Sequence, residues 1–96
     1  MTENHAAARE KLYAAMLALK TEEECRLFLD DLCTIKELDD LSQRLEVARL
    51  LDEGRNYVDI SGLTGASTAT ISRVGKCLRY GGGYRTVLAR MKEEKR

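Results

Sequence analysis

The sequence predicts an all-α fold of six helices. Three observations carry this. Apolar residues recur at helical spacing along most of the chain, capping residues interrupt that spacing at intervals, and no stretch shows the strict alternation of a half-buried strand. No proline breaks any of the segments.

The first helix, over about residues 5–20, turns Leu12, Tyr13, Met16 and Leu17 to one side. Thr21 with Glu24 and Thr34 with Glu37 have the spacing of capping boxes, an N-cap hydroxyl paired with a carboxylate at N3, and they open helices two and three. Helix two gathers Cys25, Phe28, Leu29 and Leu32 on one face. Helix three gathers Leu38, Leu41, Leu45, Ala48 and Leu51 until Gly54 ends it. Asn56, with Asp59 at N3, caps the fourth helix; Ser67 caps the fifth, and Gly81–Gly83 end it. The last segment, residues 84–96, forms a C-terminal helix with Val87, Leu88 and Met91 inward.

At 96 residues the chain is expected to be a single domain, 1–96, burying roughly 60–70% of its unfolded surface. One Phe, four Tyr and no Trp leave the packing to Leu, Ala, Val and Ile. The apolar stripes of helices one to three exceed what so small a subunit encloses, so a dimer is expected. No apolar run approaches the ~20 residues of a membrane span, and the first residues lack the charged-then-apolar order of a signal peptide. The expected location is the cytoplasm.

Cys25, Cys33 and Cys77 are odd in number, lack CxxC spacing and have only His5 as an imidazole companion, so neither a disulfide framework nor a metal site is expected. Cys25 and Cys33 fall on an apolar helix side, where a thiol acts as a small hydrophobe. The glycine run has no preceding strand and no following GK[ST], which excludes a phosphate loop and makes it a hinge. His5 sits in an expected frayed end, and no nucleophile has a base near it, so no enzyme is expected.

The net charge of zero conceals a division. Residues 1–53 hold 7 Lys and Arg against 13 Asp and Glu, a net of −6, while residues 54–96 hold 9 against 3, a net of +6. Within the basic half, residues 56–80 read as a helix-turn-helix. Ile60 and Leu63 give its first helix an apolar side, Gly65 sits where the turn needs positive φ, and Ile71, Val74 and Leu78 give its second helix an apolar stripe. The opposite face points to double-stranded DNA. Thr68, Ala69, Thr70 and Ser72 are short enough to meet base edges in the major groove, and Ser67, Arg73, Lys76, Arg79 and Arg55 can hold phosphates. The bland alternative is a helical hairpin with a glycine turn. The functional rival is a helical protein-interaction module on the same fold, which should show apolar anchors where this helix shows hydroxyls and cations.

Between about Thr34 and Leu78 the chain carries Leu41-Ser-Gln-Arg44, Leu50-Leu51 running to Gly54, and Leu63-Thr-Gly-Ala-Ser-Thr-Ala-Thr-Ile-Ser-Arg73. In these residues it resembles the Trp repressor family and, more closely, its YerC/YecD branch. The resemblance implies a transcriptional repressor and an intertwined homodimer whose dimerisation core, residues 1–53, carries two helix-turn-helix heads. It also implies a corepressor held between two arginines matching Arg44 and Arg73, with Thr34 at the mouth of its pocket. Two departures argue against tryptophan as the corepressor. The residue after the second arginine is Val74 instead of the family's glycine, which should intrude on an indole ring, and Cys77 stands where a serine meets the ligand's amino group. Arg44 is equally placed for an ion pair with Glu37 or Asp40 on its own helix.

Overall fold

The computed structural model describes residues 2–94 and contains six helices: α1 (Thr2–Ala18), α2 (Glu22–Leu32), α3 (Ile35–Asp52), α4 (Tyr57–Thr64), α5 (Thr68–Tyr80) and α6 (Gly83–Glu94). No strand occurs among the described residues. Lys95 and Arg96, which the sequence assigns to the last helix, lie outside them. The chain separates into two compact units, Met1–Leu38 and Asp39–Arg96, with the boundary inside α3.

In the first unit, Thr21 caps α2 by accepting from the Glu24 N–H at 3.1 Å, while Glu24 Oε1 accepts from the N–H of Lys20 at 2.8 Å. The return bond therefore goes one residue before the cap. Thr34 and Glu37 make the full reciprocal box, at 3.0 and 2.9 Å. Cys25, Phe28 and Leu29 are half-buried on α2, whereas Leu32 is exposed and Cys33 lies past the helix end as its C-cap. On α1 the half-buried positions are Leu12 and Ala15. Leu17 is 87% exposed, contrary to its expected inward position: it stands five residues from Leu12, about 140° around the helix. His5 lies in the first turn of α1 and is exposed. No described side chain of α1 or α2 is buried.

The second unit holds the core. Val47, Ala48 and Leu50 from α3, Ile60 from α4, Ala66 from the turn, Ile71 and Val74 from α5 and Leu88 from α6 are all buried, with Leu51, Leu78 and Tyr84 packed against them. The stripe expected on α3 is only half right. Its C-terminal end contributes Val47 and Leu50 as well as Ala48, while Leu41 and Leu45 remain exposed. Both sets satisfy helical spacing, so periodicity alone could not choose between them. On the α3 surface Arg49 bonds Glu46 at i−3 and Glu53 at i+4, and its guanidinium holds the Glu46 carboxyl below the usual carboxylate range. Such helix-surface pairs contribute only about 0.3–0.5 kcal/mol each.

Candidate nucleic-acid interface

Local chemistry fixes the head. Asn56 caps α4, accepting from the Asp59 N–H at 2.9 Å; Gly65 ends it at φ 74°, donating its N–H to Ser61 O at 2.8 Å. A Cβ at that φ would be strained, which is why the turn carries glycine. The turn is then pinned by side chains. Ser61 Oγ donates to Ala66 O at 3.1 Å, Thr64 Oγ1 accepts from the Ala66 N–H at 3.1 Å, and Gln43 Nε2, from α3, donates to Thr64 O at 3.1 Å. Gln43 stood in the sequence only as part of a family motif. No local signal marks a bond across 21 residues.

Ile71 and Val74 are buried on the inner side of α5, and this orients the rest of the helix. Thr68, Ala69, Arg73, Lys76 and Arg79 are exposed; Thr70 and Ser72 are half-buried. Ser67 is exposed, but its hydroxyl is engaged as the N-cap, accepting from the Thr70 N–H and donating to Thr70 Oγ1, both at 3.1 Å. The cap satisfies one first-turn donor and leaves the N–H groups of Thr68 and Ala69 as the helix's orphan donors, at the end where the dipole favours an anion. No acidic residue occupies that first turn. Arg79 lies 5.7 Å from the Tyr80 ring centroid, and Arg55 is exposed before α4. Hydroxyls and a methyl thus sit at the start of α5, with cations along it.

Within the second unit, the residues expected to hold an effector line two cavities. Arg44 and Arg73 line a cavity of about 190 Å³ with Asp40, Gln43 and Thr70. Cys77 lines a different cavity, about 470 Å³ and almost wholly apolar, with Leu45, Gly81, Gly83, Tyr84 and Val87. Thr34 lies in the first unit, where its hydroxyl and N–H make the Thr34–Glu37 box. Val74 is 1% exposed in the core and does not line the cavity beside Arg73. The side chain of Val74 is thus packed with Ile71 in the core, and the intrusion expected of it has no counterpart among the residues lining that cavity.

A family model described as Trp repressor protein matches residues 8–92. The chain belongs to the Trp repressor family. Within that family it is 56% identical over 85 residues to the uncharacterized protein YerC of Bacillus subtilis strain 168, covering 88% of this chain and 82% of that protein. The crystal structure of a TrpR-like protein from Eubacterium eligens ATCC 27750 has a TM-score of 0.85 at 52% identity, covering 90% of each chain. That of a candidate Trp repressor from Staphylococcus aureus also has a TM-score of 0.85, at 48% identity, over 90% of this chain and 87% of that one. The six-helix architecture is thus a Trp repressor-like fold. No described helix is long and apolar enough to cross a membrane.

Proposed function

We propose that this protein is a cytoplasmic, homodimeric, sequence-specific DNA-binding regulator of the Trp repressor family, a repressor that blocks promoter access by seating α5 of each subunit in the major groove. The observation that carries the reading is the exposed face of α5, with short polar side chains at its N-terminus and Arg73, Lys76 and Arg79 further along. Thr68, Ala69, Thr70 and Ser72 read base edges; Arg55, Arg73, Lys76 and Arg79, together with the first-turn N–H groups beside Ser67, hold phosphates. A protein-docking helix would present apolar anchors instead, and the large apolar side chain exposed on α5, Tyr80, stands at the far end.

Dimerisation is supported by the first unit. Helices of 17 and 11 residues that bury no described side chain, with Tyr13, Met16, Leu17, Leu27 and Leu32 more than half exposed, gain little from their own subunit. A second copy supplies the missing cover and a second head. Selection of bound duplexes from a random pool is therefore expected to return a palindrome with half-sites about one helical turn, ~34 Å, apart. A pool that stays random, or a monomeric mass by light scattering with helical content intact, would overturn the proposal.

Arg44 and Arg73 would hold a small anionic or zwitterionic effector, their guanidiniums taking a carboxylate. Tryptophan is a poor candidate because the side chains around the cavity, Asp40, Gln43, Arg44, Thr70 and Arg73, offer an indole ring little apolar surface. A ligand at 100 times its dissociation constant stabilises a fold by about 2.7 kcal/mol. Millimolar tryptophan is expected to leave the thermal melt unchanged, and a rise of several degrees that disappears in Arg44→Ala would show the opposite.

A further inference from the structure

The C-terminal end of α5 is unusual in how its carbonyls are satisfied. A helix leaves its last four C=O groups without intrahelical partners, here those of residues 77–80. Gly81 donates its N–H to Cys77 O at 2.9 Å. Arg85, in the first turn of α6, takes the next two: its Nε donates to Leu78 O at 2.6 Å and its Nη2 to Arg79 O at 3.4 Å. One guanidinium thus reaches back across the glycine run to close the end of the preceding helix, where the dipole also favours a cation.

Two further features make that closure specific. A Cβ on Gly81 would lie 2.8 Å from Cys77 O, so the chain leaves α5 by an approach that only glycine permits. Arg85, Leu88 and Lys92 fall at i, i+3 and i+7 on one face of α6. Leu88 is buried in the core, and Lys92 Nζ stands 2.8 Å from Asp52 Oδ2 at the end of α3. α6 is therefore held to α3 by one cation and holds α5 by another.

We propose that Arg85 is a positioning residue for DNA binding. Its guanidinium does not touch the duplex; it fixes the last turn of α5, and with it the presentation of Lys76 and Arg79 to phosphates, across a glycine run that would otherwise leave the joint loose. The inference rests on the DNA-binding reading above.

The test uses the full chain, the duplex selected for it, and the variants Arg85→Leu and Arg85→Lys. Arg85 is exposed, so both variants should fold, and circular dichroism checks that they do. Arg85→Leu is expected to weaken binding about tenfold at every salt concentration without changing the log–log salt slope, because a charge-assisted bond is lost and no phosphate contact is. Without DNA, amide exchange at Leu78–Gly81 should quicken several-fold in the same variant. Arg85→Lys, which keeps one donor, should recover part of both effects. A salt slope reduced by about one unit with exchange unchanged would make Arg85 a phosphate contact and overturn the proposal. Faster exchange with unchanged affinity would leave it a helix cap with no part in binding. If the unaltered chain binds no duplex, the DNA-binding reading itself has failed; if it binds and Arg85→Leu binds equally well, only the role of Arg85 has.

Discussion

Replacing Arg73 and Lys76 together by alanine is expected to weaken binding to the selected duplex by roughly 30-fold at 0.15 M salt and to flatten the log–log salt dependence by about two units. Each phosphate neutralised contributes a slope of about 0.9, so between 1 M and 0.15 M salt one contact is worth roughly fivefold in affinity and two about 30-fold. Both side chains are exposed on α5, three residues apart and therefore on adjoining parts of one helical face. Thr68→Ala supplies the contrast, since a hydroxyl at a base edge carries sequence choice and no counterion release. It should leave the slope intact while reducing discrimination at one base pair by about 1–3 kcal/mol. A titration series across salt concentrations separates the two classes. An unchanged slope in the double variant would remove α5 from the phosphate backbone and, with it, the proposed docking.

The parts of this fold that rest on local chemistry were legible in the sequence. Thr21, Thr34, Asn56 and Ser67 each accept the first-turn N–H that their N-cap positions imply, and Gly65 takes the positive φ that its place between two apolar stripes demands. What was not legible depends on partners distant in sequence. α3 carries two apolar ladders, and only the presence of Ile60, Ile71 and Leu88 decides that Val47 and Leu50 enter the core while Leu41 stays exposed. Gln43 and Arg85 make their bonds to backbone carbonyls, acceptors that every residue possesses and that no composition rule can point to. Arg85 had a weak signal, a cation just beyond a helix C-terminus. Val74 belongs with these: its spacing from Ile71 fits the core and its spacing from Thr70 fits the cavity beside Arg73, and only the packing of the core places its side chain inside.

Ile60→Ala is expected to lower the stability of the protein by about 2–5 kcal/mol and its melting temperature by roughly 10 °C or more. Ile60 is fully buried, and it is the buried side chain that α4 contributes to a core otherwise supplied by α3, the turn, α5 and α6. Removing three of its carbons forfeits their transfer from water and leaves a cavity that α4, held by the Asn56 cap at one end and the Gly65 turn at the other, cannot readily collapse to fill. Val58→Ala on the same helix is the control: Val58 is 82% exposed, so its loss should stay within about 0.5 kcal/mol. The difference has a functional edge. The tether between α4 and the core sets where the turn lies, and the turn sets where α5 begins, so Ile60→Ala should lose DNA affinity at temperatures well below its own melt while retaining the wild-type salt slope. Chemical denaturation followed by circular dichroism measures the first effect and binding measured at two temperatures the second. A melting temperature equal to that of Val58→Ala would mean that α4 is not anchored through Ile60 and that Ile60 is no part of the core.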